Sequence, residues 1–344
     1  MKTRLGFMVV ALAAVMFAGF APAEDTTLGV AIRTLTNPYQ ANYKVGGELF
    51  AKEAGAPLVV LTCEGSSEKQ VNDVIALVAR TQGNVVFMID PNEATDIVPI
   101  ARALEREGVY YATWWNKPEE MKVWDYPHWV THMSFDGISA GKFTAEALFK
   151  TFKTPGKGKI VALQGMLANT TAQERFVGLN QAIAANPGVE LLTHESADWD
   201  RTRAYEKTKS MLVAYPDIDG IWCANDNMAL GALEALRERG LAGKVLVTGV
   251  DGTDELLEAI KKGEGAATVY NDSKYQAGIS LAQCLAVKQG KLKVADIPKE
   301  KRQFFAQAVN VDQGNVADII KNYVQGTTDY NFADLFGGFV RAME

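Results

Sequence analysis

Short apolar runs recur along the chain: TLGVAI at 27, PLVVL at 57, NVVFMI at 84, VYYAT at 109, KIVAL at 159, VELLTH at 189, GIWCA at 220 and VLVTGV at 245. Between them the apolar positions take helical spacing. In AQERFVGLNQAIAA (172–185), Phe176, Leu179 and Ile183 fall on one face, and Gln173 and Glu174 fall on the other. Near-continuous apolar strands separated by helices predict parallel sheets covered on both faces. The series is interrupted at TPGKGKI (154–160), where Pro and Gly break the pattern, and it then restarts. The expected fold is α/β, two Rossmann-like lobes whose parallel sheets are covered by helices.

Ahead of this series stands MKTRLGFMVVALAAVMFAGFAPAED, in which Lys2 and Arg4 precede an apolar run from Leu5 to Phe20 and the small residues Ala21-Pro22-Ala23. This pattern predicts a secretory signal peptide at 1–23, cut after about Ala23. The run is short of the roughly 20 apolar residues that span a bilayer, and Glu24 and Asp25 follow at once. No cysteine lies near the cut, which excludes lipid attachment there. About 320 residues remain, enough for two domains with proper cores. A formal net charge of −6 argues against a nucleic-acid surface, which needs clustered Lys and Arg. Cys63, Cys223 and Cys284 are odd in number and far apart, so no disulfide framework exists. Buried free thiols are expected, although an oxidising compartment would allow one disulfide.

In open parallel sheets, ligands bind beyond the carboxyl ends of the strands. Asn37, Tyr39 and Gln40 follow the first strand, Asp90 the third, Trp115 and Asn116 the fourth, Asn225 and Asp226 the run GIWCA, and Asp251 the run VLVTGV. Two lobes facing each other across such edges make a cleft. Trp114, Trp115 and Trp199 sit beside polar residues, whereas Trp222 lies inside an apolar run as a core indole does. A flat indole covers the C–H face of a sugar while neighbouring amides and carboxylates take its hydroxyls. Other chemistry is weaker. GISAG (137–141) matches a nucleophile elbow at Ser139, but the acid and histidine that must follow it have no persuasive positions. His128 and His132 have the spacing of a helical zinc pair, yet HWVTHMSF reads as extended chain. No CxxC, P-loop or GxGxxG after a strand occurs, and neither metal nor cofactor is expected.

Taken together, LTNPYQ at 35, TTAQERFVGL at 170, ADWDR at 197, CANDNMALGALEAL at 223, VTGVDGTDELLEAIKKGEGAATV at 247 and the YND that follows resemble the periplasmic sugar-binding proteins of ABC transporters, in the ribose-binding-protein-like branch. The resemblance covers essentially all of the chain after the leader. It implies two lobes joined by three hinge crossings, with residues 24–135 and 272–305 in one lobe and 136–271 and 306–344 in the other, and a ligand held between them. It places ligand contacts on Asn37, Tyr39, Arg175, Trp199, Asn225, Asp251 and Asn271. The fourth-strand loop departs from the family, since TWWNKPE puts Trp115 or Asn116 where an acid and a base are usual. Gln40 stands where an aromatic is common. The implied protein is a periplasmic, monomeric receptor, not an enzyme, that delivers a neutral monosaccharide or polyol to a membrane permease. A hydrolase using Ser139 and a chemosensory receptor are the alternatives. Sensor domains of lac-repressor-type regulators share the resemblance but carry a DNA-binding helix-turn-helix where this chain has its leader. To the tail from about 310 the sequence assigns no role.

Overall fold

In the computed structural model, which describes residues 25–325 and 329–343, the apolar runs pair into two separate sheets. The expected leader at 1–23 lies outside the described residues. The first lobe runs β1 (Thr27–Ile32), α1 (Pro38–Ala54), β2 (Leu58–Thr62), α2 (Ser67–Arg80), β3 (Val85–Ile89), α3 (Ile97–Arg106), β4 (Tyr111–Trp114) and β5 (Trp129–Ser134). Its five strands are parallel, in the order β2-β1-β3-β4-β5. The second lobe runs α4 (Gly137–Lys150), β6 (Lys157–Gln164), α5 (Thr170–Ala185), β7 (Gly188–Ser196), α6 (Arg201–Ala214), β8 (Gly220–Cys223), α7 (Asp226–Glu238), β9 (Leu246–Thr248), α8 (Asp254–Lys261) and β10 (Gly265–Tyr270), with parallel order β7-β6-β8-β9-β10. Every residue of β3 is buried, because helices cover both faces of that central strand. At the sheet edges β2 is only half-buried and β7 mixes buried with exposed positions.

Three connections cross between the lobes. The first leads from β5 into α4. The second leads from β10 into α9 (Ser273–Lys288), which packs on α1 in the first lobe. The third joins β11 (Gln303–Ala306), parallel to β5, to β12 (Val309–Asp312), antiparallel to β10. The tail corrects the expectation that 306–344 stays with the second lobe. After β12 and a helical turn at Ile320–Val324 the chain returns to the first lobe, where β13 (Phe339–Ala342) pairs antiparallel with β11. Its physical reason is the open edge of β11, which β13 covers.

Helices α4 and α5 cross in backbone contact. A Cβ at Gly141 would stand 2.0 Å from the carbonyl oxygen of Arg175, and one at Gly178 would stand 2.1 Å from that of Ile138. Only glycine permits this approach on both helices, and it fixes the height at which Arg175 emerges. The three cysteines are buried and unpaired. Among the described residues, no helix is long and apolar enough to cross a membrane.

Candidate functional site

On the first-lobe side, Asn37 caps α1, its Oδ1 accepting from the Tyr39 N–H at 2.9 Å, with Pro38 at the first helical position. This cap turns the chain so that Tyr39 lies inside and Gln40 faces Asp90, to whose carboxylate its Nε2 donates at 3.1 Å. Trp115 follows the last residue of β4 with φ 67°, which aims its ring away from the sheet. The indole N–H donates to Tyr43 Oη at 2.8 Å, and the ring meets Tyr39 edge-on at 6.1 Å. Asn271, at the second crossing, accepts from the Tyr39 hydroxyl and stands behind it.

Across the gap, Asn225 caps α7 through Met228 N–H at 3.0 Å, and its Nδ2 donates to Asp251 at 3.3 Å. Arg175 rises from α5 almost fully buried. Its Nη1 donates to the Ala224 carbonyl at 2.7 Å, its Nε has no protein partner, and its guanidinium carbon lies 5.0 Å from the Trp115 ring centre and 5.6 Å from that of Trp199. An arginine held between two indoles is rigid and desolvated, so each hydrogen bond it makes is strong.

These side chains enclose one cavity of about 100 Å³, lined by Asn37, Tyr39, Gln40, Asp90, Trp115, Asn116, Arg175, Trp199, Asn225 and Asp251. Asn271 reaches it through Tyr39. Among the described residues six non-glycine residues have positive φ, and Trp115, Asp198, Trp199 and Asp251 of these line the cavity. Backbone strain of this kind costs on the order of 1–3 kcal/mol per residue and gathers at binding sites. The lobes also touch. Thr171 donates to Asn116 Oδ1 at 3.3 Å, Thr170 donates to the Lys117 carbonyl at 3.1 Å, and Asn169, with its amide turned to present nitrogen to the Asn92 carbonyl and oxygen to the Trp199 indole N–H, spans the two at 3.2 Å each. The conformation is therefore a closed one.

Burial dominates the electrostatics. It pushes the Asp90 carboxyl up to about 8, against the pull of Arg33. Asp251 is raised by burial and by the neighbouring Asp226, which Arg175 opposes. Asp226 itself is structural, accepting from Thr268 at 2.7 Å and from Thr253 N–H at 2.6 Å. The sequence reading missed Arg33, Asn92, Asn169, Thr171 and Asn227, all of which line the cavity. Arg33 directly follows β1, so the strand-end rule reaches it. Asn169 stands directly before α5 without a side-chain capping bond, a position legible only as turn chemistry. The lining carries Arg33 and Arg175 with Asp90, Asp198, Asp200 and Asp251; because burial shifts Asp90 and Asp251 toward the neutral acid, the two cations and the remaining carboxylates come close to balance.

The remaining candidates serve the fold. The Ser139 hydroxyl donates to Asp136, the cap of α4, at 2.7 Å. His132 lies in β5 against Thr113 at 2.8 Å, where burial holds its pKa well below the usual range, and His128 pairs with Glu105. Among the described residues no cluster of three metal-ligating side chains occurs.

Two α/β lobes joined by three crossings, with a polar and aromatic cavity enclosed between them, define a bilobal solute-binding protein. Residues 28–292 match the periplasmic binding protein domain, and the chain belongs to that family. It is 32% identical over 260 residues to the ribose import binding protein of Salmonella typhimurium, covering 76% of this chain and 83% of the relative. It is 27% identical over 298 residues to a xylitol-binding protein of Mycolicibacterium smegmatis, covering 86% of this chain and 80% of the relative. A crystal structure titled as a twin-arginine translocation pathway signal protein from Burkholderia phytofirmans superposes with a TM-score of 0.89 at 41% identity, covering 93% of this chain and 98% of that one.

Proposed function

We infer that this chain is an exported, monomeric receptor that captures one neutral monosaccharide or polyol between its lobes and hands it to an ABC importer in the periplasm. It binds its ligand without chemical change. The observation that carries this reading is the cavity itself, in which two indoles, a buried arginine, seven amides and two buried carboxylates converge. Such a set offers hydroxyl partners of both senses and flat faces for C–H groups. The volume, about 100 Å³, is that of a small chamber, which favours a single small ligand over a disaccharide. With the charges of the lining close to balance, a neutral ligand brings no unpaired buried charge, which would cost several kcal/mol. Relatives named for ribose and xylitol support the same ligand class. Asn37, Tyr39, Gln40, Asp90, Trp115, Asn116, Arg175, Trp199, Asn225, Asp251 and, through Tyr39, Asn271 form the proposed contact set.

Tryptophan fluorescence tests this placement. Titration with ribose, xylitol and related compounds should change the emission of the wild-type protein, and Trp199→Phe should lose much of the change. A full ligand-induced signal retained in both Trp199→Phe and Trp115→Phe would remove the two indoles from the site.

A further inference from the structure

The segment 329–343 lies beyond the residues that match the family, and it touches all three crossings between the lobes. It is anchored in the first lobe. Phe332 is buried against Phe50 and against Gly278 of α9, where a Cβ would stand 2.2 Å from the phenylalanine ring. Gln283 of α9 donates to the Leu335 carbonyl at 2.7 Å. From this anchor the segment reaches the second crossing through the Tyr330 hydroxyl, which donates to Asp272 at 2.7 Å. It reaches the third through the Gly338 carbonyl, which accepts from the Gln307 N–H at 3.0 Å. At the first crossing Arg341 donates to Asp136 at 2.7 Å, and its guanidinium covers the Phe305 ring at 4.4 Å. Asp136 caps α4, so this ion pair joins an element fixed to the first lobe with the first helix of the second.

We propose that the C-terminal segment is a strap across the hinge and that Arg341 is a positioning residue, whose pairing with Asp136 holds the lobes in the closed arrangement. The pair is made while the cavity is enclosed, and a rotation of the second lobe about the crossings moves Asp136 away from Arg341. The pair therefore favours closure without touching the cavity. The proposal rests on the reading that the lobes open and close, and not on what they bind.

Spin labels at Leu49→Cys on α1 and Val213→Cys on α6, both exposed, report the separation of the lobes, while the native cysteines are buried. Electron–electron distance measurement without added ligand should give a shorter, closed population and a longer, open one. In Arg341→Gln the ratio should move roughly two- to fivefold toward the open form, the scale of a partly exposed ion pair. Arg341→Lys should restore the ratio. Asp136→Asn keeps the cap and should match Arg341→Gln, with no further change in the double variant. Two populations in the wild-type protein that Arg341→Gln leaves unmoved would overturn the strap while sparing the hinge. A single distance common to all the proteins would overturn both.

Discussion

Asp90 stands at the end of β3 with its carboxyl group enclosed, and burial raises its pKa to about 8. Unfolding returns the group to the ordinary range near 4. Between roughly pH 4 and 8 the folded protein thus holds a proton that the unfolded chain has lost, and stability falls as pH rises through this window. The contribution is complete below the unfolded pKa and is gone above the folded one. Thermal midpoints measured without ligand should therefore fall from pH 5 to pH 8 more steeply in the wild-type protein than in Asp90→Asn, which has no proton to lose. Identical slopes would show that Asp90 titrates normally. The same residue shows how far a single position can be read on its own. A carboxylate after an apolar strand marks a cleft edge in an open sheet, but the Gln40 amide that meets it lies fifty positions away and only the fold brings the two together.

At the level of elements, the parallel strands were legible because burial on both faces leaves them apolar throughout. β11, β12 and β13 were not. Each is only four residues long (QFFA, VNVD, FVRA), too short for a pattern of its own to mark it, and each is specified by the edge it joins more than by its own composition. The α4–α5 crossing was also hidden, since Gly141 reads in sequence as part of a catalytic-looking GISAG. Its work is close approach. Gly141→Ala forces the helices apart at the residue that carries Arg175, and overpacking of this kind costs about 1–3 kcal/mol. Denaturant unfolding should show that loss, and affinity for any ligand contacted by Arg175 should drop with it. An alanine variant of unchanged stability would mean that the helices separate freely, and the rigid placement of Arg175 would fail with that result.

For the whole molecule, the closed lobes convert scattered side chains into a single chamber. Asn116 and Thr171, or Asn92 and Asn169, meet only when the lobes do, so closure and completion of the site are one event. No linear pattern contains those contacts, which is why Asn92, Asn169 and Thr171 escaped a reading that found the residues at the strand ends. The central claim is that this chamber takes a neutral polyhydroxy ligand. Titration calorimetry of the wild-type protein against pentoses, hexoses, short polyols and their uronic and aldonic acids tests it most directly. A neutral monosaccharide or polyol should bind one-to-one and more tightly than every acid in the panel. A sugar acid bound more tightly than all the neutral compounds would contradict the charge balance assigned to Arg33, Arg175, Asp90 and Asp251, and with it the proposed ligand class.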